Sequence, residues 1–134
     1  MRLLNSNGVE YLLIGGYAVN YYRYPRTTGD MDLWVSSTPE NALRVASSLS
    51  QFGFSQAKPE LFTNPDSVVR MGVPPLRIEI LTSISGCEFS QCFARRRVDD
   101  LDGVLVNLIS LEDLRTNKRA CARVKDLMDL EHLE

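Results

Sequence analysis

Two glycines placed between a short apolar run and a helix-like stretch constrain this chain most. Residues 9–14 (Val-Glu-Tyr-Leu-Leu-Ile) are mostly apolar and stop at Gly15-Gly16. A run this short, closed by glycines, reads as a mostly buried strand that turns at once into a helix. That helix covers residues 17–24 and ends at Pro25. Residues 31–35 follow as a second strand. Met31, Leu33 and Val35 share one face, which leaves Asp30 and Asp32 together on the other. Strand, tight turn, helix and returning strand commit the chain to packing helices against a sheet.

The rest of the chain alternates in the same way. Ser37-Thr38-Pro39-Glu40 has the signature of a helix start: a serine cap, an early proline, and a glutamate three residues after the cap. The helix continues over residues 41–52, with Leu43, Ala46, Leu49 and Phe52 at helical spacing, and Gly53 ends it. Residues 67–71 and 76–81 read as two strands reversed at Gly72-Val73-Pro74-Pro75. Residues 88–96 read as a short helix and residues 104–109 as a last strand. Ser110-Leu111-Glu112-Asp113 then caps a C-terminal region of two helices broken near Arg123. The expectation is one α/β (α+β) domain over residues 1–134, a mixed sheet of four to five strands with flanking helices. A chain of 134 residues buries enough surface to need no disulfide or metal staple.

Charge excludes some functions. Seventeen acidic residues against fifteen basic ones give a net charge of −2, and neither half of the chain is a basic module. Non-specific nucleic-acid binding is not the default. The longest weakly polar stretch, residues 11–19, is half a membrane span. Asn5, Ser6, Asn7 and Glu10 interrupt any export signal after Met1. Three cysteines and a single histidine make no His/Cys zinc set. Free thiols without an export signal lead us to expect a cytoplasmic protein.

Chemistry is concentrated in residues 13–35. Two carboxylates side by side on a strand repel, and their closeness is favourable only around a cation, usually Mg²⁺. Taken alone, Asp30-Met31-Asp32 also reads as a solvated turn. Gly15 and Gly16 add a second element. Without side chains they let a phosphate approach the N–H groups of a helix start, where the dipole favours an anion. A phosphate cradle beside a divalent-cation site is what a nucleoside triphosphate requires.

The combination resembles the minimal nucleotidyltransferases of the DNA polymerase β superfamily. Their signature is Gly-Gly or Gly-Ser at a helix start, about a dozen residues, then Asp-x-Asp in a strand. Here it stands as Gly15-Gly16, thirteen residues, and Asp30-Met31-Asp32. Pro25-Arg26-Thr27-Thr28 is similar to the stretch before the acids in antitoxin-like bacterial members. Asn117-Lys118-Arg119 through Arg123-Val124-Lys125-Asp126 to Asp129 resembles their closing segment. The resemblance implies transfer of a nucleoside monophosphate from an NTP, ATP foremost, to an acceptor hydroxyl with two Mg²⁺ ions. It also implies a third acid on a neighbouring strand. Glu79, between Ile78 and Ile80, repeats the hydrophobic–acid–hydrophobic pattern around Asp32, with glutamate where the family has aspartate. Its alternative is a solvent-facing acid paired with Arg77 or a neighbouring strand.

The expected site is therefore Asp30, Asp32 and Glu79 as catalytic and metal-holding acids, with Gly15, Gly16, Arg26 and Lys118 on the triphosphate, and Lys125 after Lys118. Asp126 and Asp129 read as helix-surface or ion-pair residues. Arg95-Arg96-Arg97, followed by Asp99, Asp100 and Asp102, reads as a self-neutralised solvated cluster. Tyr17, Tyr21, Tyr22 and Tyr24 are expected to pack on the sheet. The chain leaves little room for an acceptor domain, so a macromolecular acceptor, a toxin-like protein or an RNA end, is the expected partner. The competing expectation is a non-catalytic antitoxin-like or nucleotide-binding module that masks a partner.

Overall fold

The computed structural model describes residues 1–22, 30–73 and 77–133. In chain order its elements are α1 (Arg2–Ser6), β1 (Tyr11–Ile14), α2 (Gly15–Tyr22), β2 (Asp30–Val35) and α3 (Pro39–Phe52). A 3₁₀ turn (Pro59–Phe62) precedes β3 (Val68–Met71) and β4 (Arg77–Leu81). Then come α4 (Phe89–Ala94), β5 (Arg97–Leu101), β6 (Val104–Leu108), α5 (Leu111–Cys121) and α6 (Val124–Leu133).

The strands form one mixed sheet in the order β3-β4-β2-β1-β6-β5. β1 pairs antiparallel with β2 and parallel with β6, and β2 pairs parallel with β4. All four β1 residues are buried, because this strand has a neighbour on each side and helices on both faces. Tyr11, Leu13, Leu33, Val35 and Ile80 face α1 and α3. Leu12, Ile14 and Trp34 face the other way, against Val19 of α2, Cys92 of α4 and Leu114 of α5. Strand alternation thus places Asp30, Asp32 and Trp34 on one face of β2. Trp34 is covered by Phe89, edge to face at 5.1 Å, while the acids occupy the end of that face beyond the apolar cover.

The sheet has six strands, one more than expected. The extra one is β5, formed by the middle of the charged stretch read as a solvated cluster. Asp102 (φ 55°) and Gly103 (φ 84°) turn it into β6, an Asp-Gly hairpin whose two positive-φ positions match the twist of paired strands. Its charges are matched by other elements. Arg95 forks onto Asp113 at 3.1 and 2.9 Å. Arg97 Nε donates to Tyr21 Oη at 2.6 Å, and Tyr21 Oη donates to Asp99.

Two local expectations change as well. Thr38, not Ser37, caps α3: its hydroxyl accepts from Asn41 N–H, and Pro39 opens the helix. The buried stripe of α3 is Ala42, Val45, Ala46 and Leu49, whereas Leu43 and Phe52 are exposed. Asn41 explains the rotation. Its side chain is buried and bonds Glu10 N, Glu10 O and Ser36 O at 2.7, 3.1 and 2.8 Å, which turns that side of the helix inward. The break near Arg123 falls between α5 and α6 as expected. Tyr22 packs inward and donates to Ile109 O at 2.6 Å, Tyr17 is exposed, and Tyr24 lies outside the described residues.

Trp34 links the core to the acid face, so Trp34→Ala should cost about 3–5 kcal/mol. Urea unfolding followed by far-UV circular dichroism checks this, with a midpoint that falls while the helical signal of the folded state is retained.

Candidate active site

β1 ends opposite the acid pair: Ile14 is the antiparallel partner of Asp32. The chain must turn into α2 there without meeting the carboxylate. Gly15 does so at φ 66°, in the left-handed region. A Cβ at this position would overlap Asp32 Oδ2 and stand 3.1 Å from its Cγ. Backbone angle and close approach both require glycine. Gly16 is buried in the first turn of α2. The unpaired N–H groups that open a helix therefore stand at a cleft that Gly15 and Gly16 line.

Asp32 and Glu79 are direct partners in the parallel β2–β4 ladder, so their side chains leave the same face. Asp32 Oδ1 is buried and has no hydrogen-bond partner among the described residues. Burial, then the charge of Glu79 and a hydrogen bond between the two carboxyls, push the Asp32 carboxyl up to about 6. Asp30 lies on the same face and is held differently. Arg77 Nε and Nη2 donate to its two oxygens at 3.2 and 2.8 Å, and this fork keeps the Asp30 carboxyl below the usual carboxylate range. Glu79 Oε1 accepts from Arg70 Nε at 2.7 Å. Arg77 is in register with Asp30, and Arg70 with Glu79.

The cleft has a volume of about 580 Å³. Gly15, Gly16, Asp32 and Glu79 form one wall. Asn117, Lys118, Arg123 and Lys125 line it from α5, α6 and the bend between them. Of the residues expected at the site, Gly15, Gly16, Asp32, Glu79, Lys118 and Lys125 line this space. Asp30 does not, and Arg26 lies outside the described residues. Among the described residues no group of three or more His, Cys, Asp or Glu stands together as a metal cluster. Two of the three acids converge and the third is occupied by Arg77. Two carboxylates in one cleft, one with an unpartnered buried oxygen, still suit a hard divalent cation.

Lys118 is placed differently from a surface lysine. Its side chain is 5% exposed, with Nζ 3.2 Å from both Asp126 Oδ1 and Asp129 Oδ2. Asp126 and Asp129 are ion-pair residues, as one of the two expectations had them, but buried rather than on a helix surface. Sequence reasoning missed Arg70 and Arg123 as site residues. Arg77 was legible as a partner for an acid, since Arg77-Ile78-Glu79 puts both charges on one face, but its partner is Asp30 rather than Glu79.

The fold is nucleotidyltransferase-like. Among solved structures, the lincosamide antibiotic adenylyltransferase LnuA in its lincomycin-bound form aligns with a TM-score of 0.58 and 15% sequence identity, over 98% of this chain and 90% of that one. No protein-family model and no curated protein matches the chain. At that identity the likeness concerns the fold.

Asp32 makes stability depend on pH with a definite sign. Burial and the neighbouring Glu79 charge push its carboxyl up to about 6 in the fold, against an ordinary value of 3.8. Below pH ~3 it is neutral in both states and costs nothing. As pH rises through 4–6 the unfolded chain ionises first, and stability falls until both states are charged. Asp32→Asn should therefore leave stability unchanged near pH ~3 and raise it by about 1–2 kcal/mol at pH 7.5 without divalent cation, allowing for solvent on the cleft side. Thermal melts at the two pH values measure the difference.

Proposed function

We propose that this protein transfers a nucleoside monophosphate from an NTP, ATP first, to an acceptor hydroxyl. The observation that carries the reading is the Asp32–Glu79 pair facing the Gly15-Gly16 turn, with one carboxylate oxygen buried and unpartnered. Such an arrangement lowers stability in the free protein and makes sense when a ligand completes it. Asp32 and Glu79 would hold divalent cation, with Asp30 joining once Arg77 releases it. When bound, Mg²⁺ neutralises phosphate charge and lowers the pKa of the acceptor hydroxyl. The backbone N–H groups at Gly15 and Gly16 would take the triphosphate, and Lys125 and Arg123 would balance its charge from the opposite wall. Lys118 would reach a phosphate only by leaving Asp126 or Asp129. A cytoplasmic setting, where ATP and Mg²⁺ are supplied, goes with this reading.

The acceptor we infer is macromolecular, a protein side chain or an RNA end. The supporting argument is space: the strands and helices are used in covering the sheet, and a large partner brings its own hydroxyl to an open cleft. The structural neighbour is an antibiotic adenylyltransferase with lincomycin bound, so a small acceptor is the alternative.

One observation favours a second reading. Arg77 already neutralises Asp30, and Arg70 already neutralises Glu79. A domain that keeps these pairs would bind a nucleotide, or mask a partner as antitoxin-like proteins do, without turnover.

Incubation with Mg²⁺ and each α-labelled NTP in cell lysate separates the readings. Transfer predicts a labelled protein or RNA band that falls at least about a hundredfold with Asp32→Asn, the scale of losing one charge-stabilising group. Nucleotide binding by calorimetry with no labelled product favours the second reading. A labelled small molecule alone overturns the macromolecular acceptor and leaves the transfer intact.

A further inference from the structure

The cationic wall of the cleft is built at a bend. α5 ends at Cys121, and Ala122 follows at φ 54°, left-handed for a residue that carries a Cβ. α6 begins two residues later, at Val124. One fully buried side chain, Asp126, holds this bend. Its Oδ2 accepts from the backbone N–H of Arg123 at 3.3 Å and from Arg123 Nε at 2.6 Å. Its Oδ1 accepts from Lys118 Nζ at 3.2 Å and from Arg123 Nη2 at 3.3 Å. The acid in the first turn of α6 thus reaches back to the residue before that helix, as the acid of a capping box does, and grips two cations as well.

The two cations differ in what they have left to offer. Lys118 is buried and faces a carboxylate on two sides. Arg123 is 64% exposed. Its Nε–Nη2 edge is turned to Asp126, and Nη1 takes no part in those bonds. A guanidinium is planar, so fixing one edge aims the other. Arg123 lines the cleft shared by Gly15, Gly16, Asp32 and Glu79, and after Asp126 the Asp32 carboxylate also favours its charged form.

We propose that Arg123 grips the triphosphate of the bound NTP and that Asp126 is its positioning residue, with Lys118 serving as the buried counter-charge that keeps Asp126 ionised in place. This rests on the reading of the cleft as an NTP site. An arginine already forked onto a buried carboxylate loses little freedom when an anion arrives. A neutral residue at position 126 would release the guanidinium and free the bend together.

Calorimetry of Mg²⁺-ATP binding, with a thermal melt of each variant, tests this. Arg123→Gln should weaken ATP about tenfold, the scale of one charged hydrogen bond, and lower the melting temperature as well, because buried Asp126 loses the Nε and Nη2 bonds. Arg123→Lys should recover only part, because a point charge cannot be aimed by the fork. Asp126→Asn should weaken ATP by a similar factor, and the double variant should bind no worse than the weaker single one. If Asp126→Asn does not fold, Asp126→Glu takes its place in the cycle and the Arg123 variants still decide the first half. ATP binding by Arg123→Gln equal to the parent overturns the role of Arg123. Additive losses in the double variant overturn the positioning role of Asp126. A parent that binds no Mg²⁺-ATP overturns the NTP reading of the cleft, and this assignment with it.

Discussion

A single carboxylate, Asp32, packed against a glycine turn organises the functional half of this protein. Ile14 pairs with Asp32 across β1 and β2, so the end of one strand and the acid of the next are fixed at the same height. The chain leaves β1 over that carboxylate, and only a residue without a Cβ clears it. Two residues further along β2, the same face carries Trp34 in the core. The carboxylate therefore sits at the boundary between packed interior and cleft, with one oxygen buried and unpartnered. A fold selected for stability alone would place an apolar residue or a bonded amide here.

Around that carboxylate the charges fall into two sets. On the sheet, Arg77 and Arg70 neutralise Asp30 and Glu79 through pairing that strand register enforces. Across the cleft, Asp126 and Asp129 neutralise Lys118, and Asp126 restrains Arg123. Asp32 alone among the three sheet acids combines burial with an unpartnered oxygen, and that burial, followed by the charge of Glu79, raises its pKa. A divalent cation arriving at the cleft would meet this group first, and gaining the other acids requires arginines to move. The nucleotidyltransferase-like fold supplies the strand arrangement, and the local chemistry supplies the reason to read it as a working site.

How much of this was legible in the sequence follows from which features are local. The Gly15-Gly16 turn, the shared face of Asp30 and Asp32, and the acid between Ile78 and Ile80 are written in neighbouring residues, and period-2 alternation is enough to place them. The proximity of Asp32 and Glu79 depends on which strands pair and in what register, and the resemblance supplied that where composition could not. The arginine partners were hidden for the same reason. Arg70 lies on an edge strand whose register no local signal fixes. β5 was obscured because its alternation is masked by charges that find partners on α2 and α5, although Asp102-Gly103 marked the hairpin. The stripe on α3 slipped because Asn41, a polar residue, faces inward to satisfy backbone groups. Lys118 was expected on the triphosphate because nothing local shows that Asp126 and Asp129 are buried beside it and hold its ammonium.

Anomalous scattering from Mn²⁺, in crystals grown with the ion and a non-hydrolysable ATP analogue, tests the cation role of the Asp32–Glu79 pair most directly. The expected result is a peak coordinated by both carboxylates, with Arg70 turned away from Glu79 and phosphate oxygens against the backbone of Gly15 and Gly16. Nucleotide bound elsewhere, or bound with no metal peak while Asp32 Oδ1 stays unpartnered and Arg70 stays on Glu79, would contradict it.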